Sequence, residues 1–277
     1  MEERVIKSWE AFEEELVKIN EDTKVLRQKG VSRMDYPLFR GHSDSEWHLE
    51  STLDRIQRGM SLSDYRRIVK IVHENVATCT GRSWDIETDT PTIFFGGFDL
   101  PLPTIEFMAY LRHNGFPSPL LDWTRSPYIA AFFAFRDIYP RKKDAFAAEC
   151  PVLTGLCDHV SIFVFREFAG LTKEWDDQEP HIHALGPTIT THRNHYLQQS
   201  EYLLCIGKKR DGEWVFTNYQ DVTPCENQDV LVKYNIPISE QQKVLKKLDT
   251  MNITAYSLFD SETSLMETLA LREIVLI

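Results

Sequence analysis

The segment from Ser126 to Phe135 constrains the fold of this 277-residue chain more than any other. Ser126 is a favourable helix cap, and Pro127 is tolerated at the first helical position. The run from Tyr128 to Phe135 is apolar on nearly every side, so the helix has no polar face to turn towards water. The sequence therefore predicts a helix that is buried at the centre of the molecule.

The order of the other patterns predicts an α+β fold with a mostly antiparallel sheet. Ser8 precedes a helical spacing of apolar residues, and Ser61 with Asp64 forms a capping pair for a second helix. Ser239 and Gln242 match a capping box for a late helix. Short segments rich in β-branched and aromatic residues predict strands in the second half, at 160–165, 202–206, 214–217 and 230–236.

The chain carries no repeat, low-complexity tract or linker, which favours a single domain over residues 1–277. Within it we expect an N-terminal helical segment at 1–33 and a core at 34–277. Five scattered cysteines without a CxxC pair favour a reducing compartment. No apolar leader or run of membrane-spanning length occurs, so we expect a cytoplasmic protein with no membrane partner.

Net charge and histidine spacing limit the kinds of ligand. With 31 basic and 42 acidic side chains, the formal charge of −11 repels nucleic-acid backbones unless a local basic patch exists. His181 with His183, and His192 with His195, have spacings that a metal could use. No cysteine or acidic ligand set completes either pair, so we expect no metal site.

A candidate anion site lies at Arg40. The alternation of apolar residues from 34 to 38 predicts a strand that Gly41 ends, which places Arg40 near the strand end. The planar donor fork of arginine matches phosphate oxygens two at a time. The alternative is structural: Arg40 pairs with a carboxylate such as Asp44 or Asp122.

Two blocks of the sequence resemble the FRG domain, a bacterial module named for its Phe-Arg-Gly signature. The first runs over residues 38–44 and contains Phe39, Arg40 and Gly41; the second runs over 113–127. Looser similarity continues at 193–202 and 253–260, so the resemblance spans roughly residues 34–277, the FRG core. The chain departs from the pattern at Arg112, where a glutamine is expected, and at Pro119, where an arginine is common.

The resemblance implies a fold and an activity. FRG modules are distantly similar to ADP-ribosyltransferases, whose split sheet cradles NAD. It therefore implies an ADP-ribosyltransferase-like split sheet and NAD as the substrate, either for ADP-ribose transfer to a protein or nucleic-acid acceptor or for NAD hydrolysis. It also implies a bacterial toxin or antiphage effector, with an antitoxin or regulatory partner.

The resemblance also implies roles for individual residues. Glu201 would stabilise oxocarbenium charge, Gln199 would orient a nucleophile, and His113 would polarise or hydrogen-bond the substrate. The nucleotide would be held by the phosphate anchor, a small hydroxyl residue, a stacking ring and an orienting carboxylate. These predicted binding residues are Arg40, Gly41, Asp122, Trp123, Thr124, Ser126 and Tyr202.

Several alternatives stay open at this point. Glu201 opens an apolar strand, where a glutamate is commonly a solvated edge charge. The third block can also be aligned so that Gln198, Ser200 and Tyr202 are the matching positions. The same fold could serve as a non-catalytic nucleotide- or partner-binding sensor. A metal-dependent nuclease is a further alternative, with Asp122, Glu201 and His113 as ligands.

Overall fold

The structure is a computed structural model of the chain. It describes residues 1–28, 36–86, 92–94, 99–137, 158–166, 180–186, 189, 193–219, 222 and 230–276. Met34, His192 and three of the cysteines, Cys150, Cys157 and Cys225, lie outside these ranges. The other two cysteines, Cys79 and Cys205, are free.

The described residues form eight α-helices, and a π-helical turn at Leu271–Val275 follows the last of them. The helices are α1 (Trp9–Gln28), α2 (Leu62–Thr80), α3 (Leu102–His113), α4 (Pro127–Phe135), α5 (Arg193–Leu197), α6 (Gln241–Thr250), α7 (Ala255–Phe259) and α8 (Glu262–Ala270).

The described strands form one large sheet and one small hairpin. The strands are β1 (Glu2–Val5), β2 (Leu38–His42), β3 (Thr92–Phe94), β4 (Asp99–Pro101), β5 (Leu121–Thr124), β6 (His159–Arg166), β7 (His181–Ala184), β8 (Ser200–Lys208), β9 (Trp214–Phe216) and β10 (Val230–Pro237). The large sheet has the order β1-β10-β6-β2-β5-β8-β7, and β9 pairs with β8. Its pairs are antiparallel except β1 with β10. The predicted α+β class and mostly antiparallel sheet are confirmed.

Helix α4 lies at the centre of the molecule, as its composition predicts. Ala130, Ala131 and Phe135 are fully buried in a core shared with α1, α6 and strands β6 and β10. The helix packs directly on β2 at Gly41, where a Cβ atom would lie 1.9 Å from the carbonyl oxygen of Ala130. Glycine is therefore required by the close approach of helix and strand rather than by a turn.

Local capping signals predict some helix starts and miss others. Ser61 accepts a hydrogen bond from the backbone N–H of Asp64, and Ser126 accepts one from Ile129, so both predicted caps are confirmed. The capping box at Ser239 is wrong. Residues Ile238–Glu240 form a 3₁₀ turn instead, and the carboxylate of Glu240 accepts from the backbone N–H of Trp9, 2.9 Å away. The side chain of Glu240, the residue directly before α6, therefore binds a distant backbone group and does not cap its own helix.

Two other predictions about secondary structure are wrong. Gly41 does not end its strand, because β2 continues through it to His42, which pairs with Ser161 of β6. The N-terminal segment is not purely helical, since β1 joins the sheet beside β10 before α1 begins. Both strands are completed by pairing with residues that lie more than a hundred positions away, which local pattern does not reveal.

The sheet opens between β2 and β5. These two strands pair at a single register position, Phe39 opposite Thr124, whereas β2 pairs with β6 along its full length. Beyond this position, the residues that follow Phe39 and those that precede Thr124 face each other across a gap.

No helix in the described part of the chain is long and apolar enough to cross a membrane.

Candidate functional site

A cavity of about 440 Å³ occupies the gap between β2 and β5. Helices α4, α5 and α7 and the loop after β2 complete its walls. The lining residues used below are Arg40, Gly41, His42, Trp47, Arg55, His113, Asp122, Trp123, Thr124, Phe133, Asn194, Gln198, Ser200 and Phe259. The two sequence blocks at 38–44 and 113–127 therefore meet in space.

Arg40 is held in the cavity wall by two neutral acceptors. Its Nε donates to Nε2 of His42 at 3.1 Å, and one terminal nitrogen donates to the backbone carbonyl of Asp122. Neither predicted carboxylate pairs with it. The carboxylate of Asp44 accepts from the backbone N–H of Glu46, and that of Asp122 binds a different arginine. The charge of Arg40 thus has no ion-pair partner among the described residues.

Burial shifts the protonation of both members of the Arg40–His42 pair. Desolvation lowers the pKa of Arg40 to about 10, which still leaves the guanidinium charged at neutral pH. Desolvation and the neighbouring Arg40 charge lower the pKa of His42 well below its usual range. His42 is therefore a neutral imidazole, so its Nε2 can accept from Arg40 and orient the guanidinium without neutralising it.

The carboxylate of Asp122 is neutralised by Arg112. Both Nε and a terminal nitrogen of Arg112 donate to Oδ2 of Asp122, at 3.1 and 2.9 Å. Arg112 is one of the two residues at which the sequence departs from the family pattern, and here it forms an ion pair with the one carboxylate on the described cavity wall. The wall consequently keeps a positive balance from Arg40.

Two residues in the loop after β2, the cation Arg55 and the aromatic Trp47, complete this wall of the cavity. Neither was predicted as a site residue. Arg55 is exposed, and its side chain has no hydrogen bond or ion pair with any described residue. Trp47 is 53% exposed at the cavity. Reciprocal hydrogen bonds between Ser51 and Asp54 order the loop that carries Arg55. No local pattern predicts that this loop folds back over Arg40.

The two candidate hydroxyl residues have different positions. Thr124 lines the cavity, where its hydroxyl donates to the carbonyl of Gln198 at 2.7 Å and accepts from the backbone N–H of Ser126. Ser126 is the cap of α4 and is not part of the described cavity lining. Thr124 thus joins β5 to the segment before β8, while Ser126 serves the helix.

Glu201 points away from the cavity residues of its own strand. Side chains alternate along β8, so Ser200 lines the cavity while Glu201, opposite Trp123, faces the other side of the sheet. Its Oε1 accepts from Nε of Arg125 and from the hydroxyl of Tyr36, both at 2.8 Å. The guanidinium of Arg125 also lies 4.6 Å from the ring centroid of Tyr36.

The alternative interpretation of Glu201 as a solvated edge charge is wrong. Its side chain is 0% exposed, and β8 lies inside the sheet between β5 and β7. The ion pair with Arg125 ties β8 to the chain just after β5. Glu201 therefore has a structural role here: its buried carboxylate stabilises the position of β8 in the sheet.

We expect Glu201→Ala to lower the free energy of unfolding by about 1–3 kcal/mol, because it removes a buried carboxylate that accepts two hydrogen bonds, while the Arg125 side chain that remains is 36% exposed and partly solvated. Denaturant unfolding measures this loss. Glu213→Ala is the matched control, since Glu213 pairs with Lys209 at the surface, and we expect no measurable change there. Equal stability of the wild type and Glu201→Ala would contradict this structural role.

The remaining predicted residues divide between the cavity and its surroundings. Gln199 is exposed, has a positive φ of 47°, and is not among the described lining residues, whereas Gln198 lines the cavity. Trp123 lines the cavity and Tyr202 is not among the described lining residues, but the two residues are only 2% and 0% exposed, which leaves neither ring a free face for stacking. The alternative alignment on Gln198 and Ser200 thus fits the cavity better than one on Gln199 and Glu201.

His113 lines the cavity at the end of α3 and contacts a buried tyrosine. Its Nε2 lies 2.6 Å from the hydroxyl of Tyr202, and Nδ1 of His195 lies 3.3 Å from the same hydroxyl. The rings of His195 and Tyr202 are stacked, with centroids 5.4 Å apart. Tyr202 is therefore a bridge between two histidines rather than a ring for ligand stacking.

The residues proposed as ligands of a nuclease metal do not come together. Asp122 and His113 line the cavity, while Glu201 faces the opposite side of the sheet. Among the residues with described positions, no group of three or more histidine, cysteine, aspartate or glutamate side chains could hold a metal ion.

Comparison with known proteins agrees with the first two sequence blocks. Residues 36–143 match the family model of the FRG domain. The match contains β2, β5 and α4, and hence Arg40, Gly41 and Asp122, but it covers less than half of the chain. No curated protein and no solved structure matches the chain.

Proposed function

We propose that the cavity binds a nucleotide, NAD or a related molecule, with its phosphate against Arg40. The observation that carries this proposal is the state of Arg40: charged, oriented by two neutral acceptors and without an ion-pair partner among the described residues. A partly buried charge of this kind is unfavourable unless an anion compensates it. Phosphate is the anion that best matches the planar donor fork.

Other residues of the cavity suit the rest of a nucleotide. Arg55 adds a second cation, and the exposed ring of Trp47 offers a face on which a base can stack. Phe133 and Phe259 add apolar aromatic surface, with ring centroids 6.0 Å apart. In a chain of net charge −11 this positive cavity favours a small anion over a long polyanion.

A second candidate function is a reaction on the bound NAD. Asp122 is the one carboxylate on the described cavity wall, and Glu201 is sequestered on the other face of the sheet. Cleavage of the nicotinamide bond builds positive charge on the ribose, which a nearby carboxylate stabilises. We therefore place Asp122 in that role. ADP-ribose transfer to a macromolecule, NAD hydrolysis and an effector role continue to rest on the family resemblance.

Isothermal titration of the protein with NAD, ADP-ribose and AMP tests nucleotide binding. We expect binding that Trp47→Ala weakens by roughly tenfold, since stacking of a base on an aromatic side chain contributes about 1–3 kcal/mol. Tyr196→Ala is the matched control, because Tyr196 is 84% exposed and outside the cavity lining. Absence of binding by all three nucleotides would refute the proposal.

Nicotinamide release from NAD separates the two candidates. Release by the wild type that Asp122→Asn abolishes, while NAD binding persists, would support the reaction. Binding without release, alone or with cell lysate, would leave a nucleotide-binding module.

A further inference from the structure

Ser200 carries a buried hydroxyl to which no described residue is hydrogen-bonded. The residue is the first of β8 and lines the cavity, and it is only 5% exposed. A polar group that has lost its contact with bulk water is unfavourable without a partner. Thr124, directly opposite on β5, differs because its hydroxyl already donates to Gln198 and accepts from Ser126. Of these two hydroxyls, that of Ser200 is the one available to a ligand.

Gln198 offers an acceptor on the same wall of the cavity. Its side-chain Nε2 donates to the backbone carbonyl of Leu258 at 3.2 Å. A carbonyl only accepts, so this bond fixes the orientation of the amide, and the side-chain oxygen has no hydrogen bond with a described residue. A sugar hydroxyl complements this wall, because it can donate to Gln198 while it accepts from Ser200.

The sheet places this wall across the cavity from the phosphate anchor. Phe39, next to Arg40, lies opposite Thr124, which lies opposite Ser200. Neighbouring strands are about 4.8 Å apart, so β2 and β8 are separated by about 10 Å. A nucleotide with its phosphate against Arg40 and its base against Trp47 uses only the side formed by β2 and the loop after it. The sugar is the part that remains to face β8.

We propose that the ligand is a ribonucleotide, and that Ser200 and Gln198 select it by binding a ribose hydroxyl. Ser200 donates to the ribose oxygen, and the ribose hydroxyl donates to Oε1 of Gln198. A deoxyribose that lacks this hydroxyl leaves Ser200 buried and unpaired in the complex, so a deoxyribonucleotide is disfavoured. This inference rests on the proposed nucleotide binding and adds to it the residues that determine sugar specificity.

Titration calorimetry tests the inference by comparing AMP with its 2′-deoxy and 3′-deoxy analogues, each of which lacks one ribose hydroxyl. We expect at least one analogue to bind the wild type roughly tenfold more weakly than AMP, as for the loss of one net hydrogen bond. In Ser200→Ala we expect this difference to disappear, because AMP loses the same interaction. The two ligands and two proteins form a double-mutant cycle, which assigns the interaction to Ser200.

Two further variants accompany this cycle. Gln198→Met removes the acceptor and is expected to reduce the difference between AMP and the weaker analogue. Ser63→Ala is the matched control, since Ser63 is exposed on α2 and is not among the described lining residues, and we expect the full difference there.

The stability of ligand-free Ser200→Ala separates a binding hydroxyl from a structural one. Because the hydroxyl has no partner among the described residues, we expect the midpoint of denaturant unfolding to stay the same or to rise. A clear fall of this midpoint would show that the hydroxyl is used within the fold and would count against the inference.

The binding outcomes separate this inference from the proposed function. Equal affinity for AMP and both analogues, or a difference that persists in Ser200→Ala, would overturn the inference and leave nucleotide binding intact. An unchanged difference in Gln198→Met would overturn the role of Gln198. No binding of AMP or NAD under any condition would overturn the proposed function as well.

Discussion

Arg40→Met is expected to remove nucleotide binding without unfolding the protein. Methionine keeps the length of the side chain but has no charge and no donors. Truncating one partner of a buried charged contact costs about 2–5 kcal/mol, so we expect affinity for AMP or NAD to fall by roughly 100-fold or more. Titration calorimetry measures this loss directly.

The stability of ligand-free Arg40→Met distinguishes a binding role from a structural one. Because Arg40 has no ion-pair partner among the described residues, replacing it removes a partly buried charge that nothing compensates. We therefore expect the free energy of unfolding without ligand to stay the same or to rise. Replacing a residue that is kept for binding commonly has this effect on stability.

Arg112→Met provides the contrast within the same cavity. It removes the partner of Asp122, and we expect it to lower both stability and affinity, because a partly buried carboxylate is left uncompensated beside the phosphate site. If Arg40→Met were the less stable of the two variants and bound nucleotide normally, Arg40 would be a structural residue.

Gly41→Ala is expected to have the largest effect on folding. The new Cβ would lie 1.9 Å from the carbonyl oxygen of Ala130 and 2.7 Å from the backbone nitrogen of Ala134. Both contacts are with helix backbone, so α4 as a whole must move away from β2 to relieve them. Overpacking of a core costs about 1–3 kcal/mol and occasionally more, and we expect a loss of at least about 3 kcal/mol here.

Denaturant unfolding checks this expectation, and Gly59→Ala is the matched control. Gly59 has a φ of +67°, but a Cβ there would meet no atom within 4 Å, so the substitution tests backbone strain alone. That strain costs about 1–2 kcal/mol. A loss for Gly41→Ala no larger than for Gly59→Ala would mean that α4 moves freely, and that close packing of helix and strand does not define this site.

Much of the fold can be predicted where the signal is local. The caps at Ser61 and Ser126 are read from two or three neighbouring residues, and the structure has them as predicted. Strands β6, β8, β9 and β10 fall on the segments chosen for β-branched and aromatic content. The predicted Ser239 cap is wrong because Ile238–Glu240 forms a 3₁₀ turn, so that Glu240 and not Ser239 directly precedes α6, and the Glu240 carboxylate binds Trp9 at the other end of the chain.

The site shows the same division. The sequence by itself determined that Arg40, Asp122 and His113 belong to two short blocks, and that an apolar helix follows the second block. Only the tertiary structure decided which side chains share the cavity. Strand register places Ser200 in it and Glu201 on the opposite face, because neighbouring side chains on a strand point to opposite sides. Arg55 and Trp47 join it through the path of a loop, which is set by packing between distant segments rather than by local chemistry.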